Sequence, residues 1–175
     1  MRIGRHLFKL GKLNVYYSFI LSNFNYCPLV WHFCGETNTR KIEKIQQRTL
    51  RFIYNDYSSG YDTLLDRSQL PALRVRRQRA VALEAFKILN NLSPIYLNDL
   101  LTFKHHNYSF RYTKTVEVPQ VKTTKYGVRS FRSTAAKIWN CLPQHMRDIS
   151  DFNAFKNQVN AWSGGTCSCS FCLDS

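Results

Sequence analysis

The feature that most constrains this chain is a run of 23 residues, 13–35, without a single charged side chain. As a helix, the run is long enough to cross the roughly 30 Å hydrocarbon core of a bilayer. It also carries several Asn and Ser side chains, a proline and a histidine, which make insertion into lipid unfavourable. The run is therefore expected to lie inside a protein core, and no membrane partner is predicted.

Within this run the apolar residues follow a helical period. Val15, Phe19, Tyr26 and Val30 recur at spacings that return to one helical face. We predict a helix over residues 12–27 that buries this face. Proline 28 is expected to disturb it, because proline lacks the N–H that a helix interior needs.

A second helix is predicted over "RKIEKIQQRTLRFIYND", after the candidate cap residues 37–39. It carries two separate stripes. The apolar stripe consists of Ile42, Ile45, Thr49, Phe52 and Ile53. The basic stripe recurs at i, i+3, i+7 and i+10 and consists of Lys41, Lys44, Arg48 and Arg51. One face is expected to meet a core and the other to meet phosphate or water.

The longest helical signal, "ALRVRRQRAVALEAFKILNNL", begins with four arginines in six residues, Arg74, Arg76, Arg77 and Arg79. Two of them, Arg74 and Arg79, fall on or beside the apolar arc. A buried arginine is costly unless it is paired. The cluster therefore either binds an anion such as phosphate or packs through its aliphatic stems, and the sequence leaves both open.

The predicted fold class is mainly α. A small β-ribbon is expected around 113–129, and a helix over 151–162 is expected to start from Ser150 as its cap. The ribbon is basic through Lys122, Lys125, Arg129 and Arg132. We expect three regions: a helical region over 1–101, a basic extension over 102–163 and a cysteine-rich tail over 164–175.

Charge is the strongest functional signal. The chain has 25 Lys+Arg against 11 Asp+Glu, a net charge of +14. Most of the excess lies in residues 71–140. A concentrated basic surface suits a polyanion, because neutralising phosphates releases their counterions. Nucleic acid is the favoured partner; an anionic membrane surface or a merely solvated basic face are the alternatives.

The sequence shows no recognisable catalytic constellation. Its few carboxylates include no adjacent pair and no motif that would recruit two metal ions, and no glycine-rich phosphate loop is present. The residues by themselves predict a basic, helical, aromatic-rich binding module.

The tail "GGTCSCSFCLDS" holds Cys167, Cys169 and Cys172 within six residues. A structural Zn²⁺ site takes four ligands, and the nearest candidates for the fourth are Cys141 and His145. Disulfide formation is disfavoured in a reducing compartment, where we expect this chain to reside. Zinc ligation, an oxidation cluster and a remnant of no function all remain open.

Five stretches carry a family resemblance when taken in order. They are "SFILSNFNYCPLVW" (18–31), "KIEKIQQRTLRFIYNDYSSGYDTLL" (41–65), "NLSP" (91–94), "YGVRSFRSTAAKIWNCLP" (126–143) and the terminal C-x-C-x-x-C. Together they resemble the C-terminal region of jockey-like non-LTR retrotransposon reverse transcriptases, which are RNA-directed DNA polymerases. The resemblance spans nearly the whole chain.

The resemblance implies a helical thumb and a C-terminal extension, which grip template RNA or an RNA–DNA hybrid through phosphate contacts. It places the catalytic aspartates of the palm upstream of the matching region, so the chain looks like a fragment that is inactive alone. The fingers and palm of the polymerase would then be further partners. It also makes zinc at the tail a stronger expectation. A domesticated protein–protein interaction module and a decayed, non-functional copy are the alternative functions.

Overall fold

The computed structural model describes residues 7–104 and 114–164. These residues form nine α-helices, so the predicted mainly α fold class is confirmed. The α-helices are α1 (Lys9–Val15), α2 (Ser22–Asn25), α3 (Pro28–His32), α4 (Glu36–Tyr54), α5 (Tyr61–Ser68), α6 (Leu73–Leu89), α7 (Phe131–Cys141), α8 (Gln144–Arg147) and α9 (Phe152–Ala161). Two π-helical segments, Tyr16–Leu21 and Thr124–Val128, and a 3₁₀ helix, Ile95–Leu100, complete the set.

The chain divides into two compact units, Met1–Arg77 and Gln78–Ser175. The division falls inside α6, which gives its first five residues to the first unit and the remainder to the second. The regions predicted from the sequence meet at 101/102, and that division stays a prediction. A continuous helix gives no composition change or breaker residue at position 77, so sequence has no signal for a division there.

The first helix of the first unit is continuous from Lys9 to Asn25, because α1 passes through the π-helical segment into α2 without a break. This agrees with the predicted helix over 12–27. Pro28 does not merely interrupt it. Cys27 adopts a left-handed conformation with φ of 47°, and Pro28 then opens α3 at its first position, where a missing N–H costs nothing.

The predicted buried face of this helix is wrong. Val15, Phe19, Tyr26 and Val30 are all exposed, and the helix instead buries Tyr16 and Leu21. The two buried residues are the ends of the π-helical segment Tyr16–Leu21, whose wider turn departs from the 3.6-residue period on which the prediction rests. The side of the helix that carries Tyr16 and Leu21 packs into the core of the first unit.

Helix α4 is amphipathic and buries Ile42, Gln46, Leu50 and Ile53. The predicted apolar stripe is only partly correct, because Ile42 and Ile53 are buried, Thr49 and Phe52 are half-buried and Ile45 is exposed. The expected caps at 37–39 are not used. The helix starts at Glu36, four residues before the predicted start at Arg40, with Gly35 as its N-cap and no side-chain acceptor. It ends at Asn55, whose left-handed φ of 55° suits the end of a helix.

The core of the second unit is an aromatic cluster from three helices. Phe86 of α6 stacks on Phe155 of α9 with ring centroids 4.4 Å apart, and Trp139 of α7 lies 5.8 Å from Phe155. All three side chains are at most 1% exposed. This cluster fixes α7 and α9 against the second part of α6.

The β-ribbon expected around 113–129 is not found in residues 114–129. A single antiparallel bridge pairs Val116 with Phe103, and the amide of Asn140 pairs with both the N–H and the carbonyl of Val116, at 2.8 and 2.9 Å. The chain then enters the π-helical turn. Gly127 is needed there, since a Cβ would lie 2.6 Å from the Cβ of Val121.

Two helices of the second unit, α7 and α9, begin with side-chain caps. Ser130 accepts a hydrogen bond from the N–H of Ser133 at the start of α7. At α9 the cap is Asp151, whose Oδ2 accepts from the N–H of Ala154 at 2.7 Å. The predicted cap, Ser150, lies one residue before it, so that prediction is wrong by one position.

Candidate nucleic-acid interface

The solvent face of α4 carries three exposed cations, Lys41, Lys44 and Arg48. Their spacing places them on the side of the helix opposite the buried residues, over about 10 Å of helix length. None of the three makes a hydrogen bond or an ion pair with the described part of the chain. We call these three residues the α4 basic face.

Arg51, the fourth predicted member of this stripe, is placed differently. It is half-buried, and its Nε atom is buried without a hydrogen-bond partner among the described residues. Only part of its guanidinium therefore faces solvent beside the α4 basic face.

The two acidic residues of α4 do not neutralise this face. Glu36 forms an ion pair with Arg40, four residues along the helix. Glu43 points away from solvent toward α5 and α6. The face consequently keeps its full positive charge.

Glu43 is the anchor that holds α4 against the start of α6. Its Oε1 accepts from the N–H of Arg74 at 2.6 Å, and its Oε2 accepts from the N–H of Leu73 at 3.3 Å and from the hydroxyl of Tyr61 at 2.7 Å. Ala72, which precedes α6, has no side-chain acceptor, so Glu43 caps the helix from outside. Burial, together with the neighbouring Glu43 carboxylate, raises the pKa of the Tyr61 hydroxyl well above its ordinary value.

All four clustered arginines have structural contacts, and three of them lie in the first unit. Arg76 donates to the Oδ1 of Asn25 at 2.9 Å, and Arg77 is only 5% exposed with its guanidinium 3.8 Å from Glu43. Burial lowers the pKa of Arg77, and Glu43 opposes that effect. Arg74 is half-buried near the same carboxylate.

Arg79 belongs to the second unit and lies near the apolar arc of α6, where an unpaired guanidinium would be unfavourable. A backbone carbonyl oxygen accepts its hydrogen bonds and offsets that cost. Its Nε and Nη2 donate to the carbonyl of Trp162, at 2.8 and 2.5 Å, just after α9 ends. A cation near a helix C-terminus is favourable, because the last carbonyls have no partners within the helix. For Arg77 and Arg79 the packing alternative accounts for their positions better than a phosphate contact does.

The remaining predicted basic residues lie in the second unit. Lys122 and Arg132 are exposed, and Arg129 is half-buried. Lys125 lies in the π-helical turn. Lys122 and Arg132 are therefore better placed than Arg129 to meet a ligand in solution.

The zinc hypothesis falls outside the described residues, because Cys167, Cys169 and Cys172 all lie beyond residue 164. Of the candidates for a fourth ligand, Cys141 is a half-buried free thiol and His145 is exposed. Within 7–104 and 114–164, no three metal-ligating side chains come together. Zinc at the tail stays a prediction.

No helix in the described ranges is both long and apolar enough to cross a membrane. No protein-family model, curated protein or solved structure matches this chain. The resemblance to non-LTR reverse transcriptases therefore remains a prediction that the comparisons leave open.

Proposed function

We propose that this protein binds RNA or an RNA–DNA hybrid through phosphate contacts made by the α4 basic face. The observation that supports this most is the presence of three exposed cations on one helical face, while both acidic residues of the same helix are engaged elsewhere. The overall charge of +14 adds a general attraction for polyanions. The proposal is one of binding, with no catalytic step.

The α4 basic face favours phosphate contacts over base recognition. Lysine and arginine on a convex helix surface can neutralise phosphates, and such contacts carry no sequence information. The proposed binding is therefore weakly dependent on sequence and strongly dependent on salt. The family resemblance implies that this role belongs to the thumb of a reverse transcriptase.

The proposal is tested by measuring binding of labelled RNA–DNA duplexes across a range of salt concentrations. The triple variant Lys41→Gln, Lys44→Gln, Arg48→Gln should reduce the slope of log affinity against log salt by about 2–3, since each lost phosphate contact removes about 0.7–0.9. These positions are exposed, so the variant should fold normally.

A charge-matched control is the triple variant Lys104→Gln, Lys137→Gln, Lys156→Gln. It removes the same three positive charges from the second unit, outside the predicted site residues. Equal slopes for both variants would mean that net charge alone drives binding and would overturn the proposed face. Tighter binding to an acidic polypeptide than to RNA would favour the protein-interaction alternative.

A further inference from the structure

An apolar surface remains open on the first unit. Phe8, Val15 and Phe19 follow one side of the first helix, and Tyr26, Val30 and Trp31 continue in the adjoining turn and α3. Four aromatic rings are among them, and they are exposed to different degrees: Phe8 by 88%, Tyr26 by 76%, Phe19 by 69% and Trp31 by 43%. We call these six residues the apolar face.

The helix that carries most of this face is apolar on two sides. One side buries Tyr16 and Leu21 in the unit core, while Phe8, Val15 and Phe19 are left in solvent. A helix that is apolar all round is typical of one covered on all sides. The apolar side chains that predict burial are present on this side of the helix, but no described residue of the same chain covers them.

The size of the face approaches that of a stable interface. At about 150–250 Å² for each aromatic side chain, the exposed parts of the four rings amount to roughly 400–700 Å². The largest apolar patch of an ordinary monomer is about 300–600 Å², and a standard interface takes about 800 Å² from each partner. Val15 and Val30 add further apolar area, which brings the face close to that standard.

The charged residues in and around the apolar face indicate which kind of partner can cover it. No acidic residue lies in residues 7–35, and the two lysines there, Lys9 and Lys12, lie over aromatic rings of α4 at 4.4 and 4.5 Å. Lys12 also donates to the carbonyl of Phe52 at 3.2 Å. None of the six residues of the face is charged, on a chain of +14. The face offers no counter-charge to a charged partner, whereas two copies can dock uncharged face to uncharged face.

We propose that the protein forms a homodimer in which the apolar faces of two copies bury each other. A two-fold arrangement suits a single self-complementary patch, because the same residues contribute from both sides. The α4 basic face takes no part in this contact.

The test is sedimentation velocity on the full chain after nuclease treatment, at about 1–100 μM protein. Nuclease treatment excludes association bridged by RNA. A dimer should form and should hold or tighten when salt rises from about 0.15 to about 0.5 M, because like-charge repulsion between the copies is screened. A protein that stays monomeric throughout this range overturns the proposal.

Two double variants locate the interface. Phe19→Ser with Val30→Ser should weaken dimerisation at least about tenfold. Ile95→Ser with Tyr96→Ser is the matched control, since it removes one aromatic and one aliphatic side chain that are also highly exposed but lie in the second unit. The control should change the dissociation constant by less than about twofold.

A photo-crosslinker gives an independent readout that needs no loss of stability. Benzoylphenylalanine at position 19 should yield covalent dimers, and at position 95 it should not. Equal crosslinking at both positions, or equal loss of association in both double variants, indicates non-specific aggregation and overturns the proposal. Binding of neutral phospholipid vesicles through Phe19 without dimer formation overturns it as well.

Discussion

At the scale of single residues, Glu43 shows how one side chain can decide the placement of two helices. Its carboxylate serves the first backbone N–H groups of α6, the hydroxyl of Tyr61 and the guanidinium of Arg77. The sequence places Glu43 among basic residues on a surface-like helix, where it looks like one more exposed charge. Its role depends on contacts some 30 residues away, which periodicity cannot reveal.

Replacing Glu43 with alanine should therefore destabilise the folded protein strongly. The variant leaves several partly buried donors without an acceptor, and we expect a loss of roughly 2–4 kcal/mol in the free energy of unfolding. Urea denaturation of the full chain measures it. The control is Glu36→Ala, which removes only an exposed pair with Arg40 and should cost less than about 1 kcal/mol. Similar losses in both variants would contradict the anchoring role.

His32 predicts a pH dependence of stability. Burial, and then the nearby positive charge of Arg77, lowers the pKa of His32 from 6.5 to about 4. The unfolded chain therefore binds a proton between these two values while the folded chain does not. Stability is present in full above the unfolded pKa and is lost as pH falls toward the folded pKa.

Lowering the pH from about 7.5 to about 5 should remove about 2 kcal/mol through this residue. Urea denaturation at both pH values measures the loss, and His32→Gln should abolish most of it. His145 is exposed, so His145→Gln should keep the full loss. A wild-type pH dependence that survives His32→Gln would show that another group titrates.

At the scale of elements, the sequence predicts the existence of helices better than their orientation. The helices over 9–25, 36–54 and 73–89 were all expected, because their apolar periods are long and uninterrupted. The face of the first helix was predicted wrongly, since a π-helical segment changes the residues per turn without leaving a sequence signature. The ribbon near 116 was expected from Val and Thr alternation, yet that segment pairs with the side chain of Asn140.

Helix caps illustrate the same limit on a smaller scale. Both Ser150 and Asp151 are good caps by residue type, and only the backbone decides between them. In the structure Asp151 has the extended conformation and the hydrogen bond. The sequence therefore narrows the start of α9 to two adjacent positions.

The cap assignment can be tested directly. Asp151→Ala should destabilise the protein by about 1 kcal/mol, because the N–H of Ala154 loses its acceptor. Ser150→Ala should change the free energy of unfolding by less than about 0.5 kcal/mol. Thermal unfolding of the two variants side by side measures the difference. A larger loss for Ser150→Ala would return the cap to the position that the sequence predicts.

At the scale of the whole molecule, charge and apolar surface are separated along the chain. Residues 13–35 carry no charge, while the remainder supplies the net +14. The candidate nucleic-acid interface could be predicted only in part from the sequence. The α4 basic face was expected from its spacing, whereas the arginines of α6 proved to be used within the fold, at Asn25, Glu43 and the carbonyl of Trp162.

This separation predicts opposite responses to salt. Binding of nucleic acid through exposed cations should weaken as salt rises, because releasing condensed counterions into a more concentrated salt solution gains less entropy. Association through the neutral apolar face should hold or strengthen under the same change. The two proposals can therefore be judged independently on one protein preparation.

The most direct test of nucleic-acid binding is the salt dependence of duplex affinity in the Lys41→Gln, Lys44→Gln, Arg48→Gln variant, compared with the charge-matched variant at positions 104, 137 and 156. We expect the slope of log affinity against log salt to fall by about 2–3 in the first variant and by less than about 1 in the second. Equal slopes in the two variants, or a first variant that binds like the wild type, would contradict a binding face on α4.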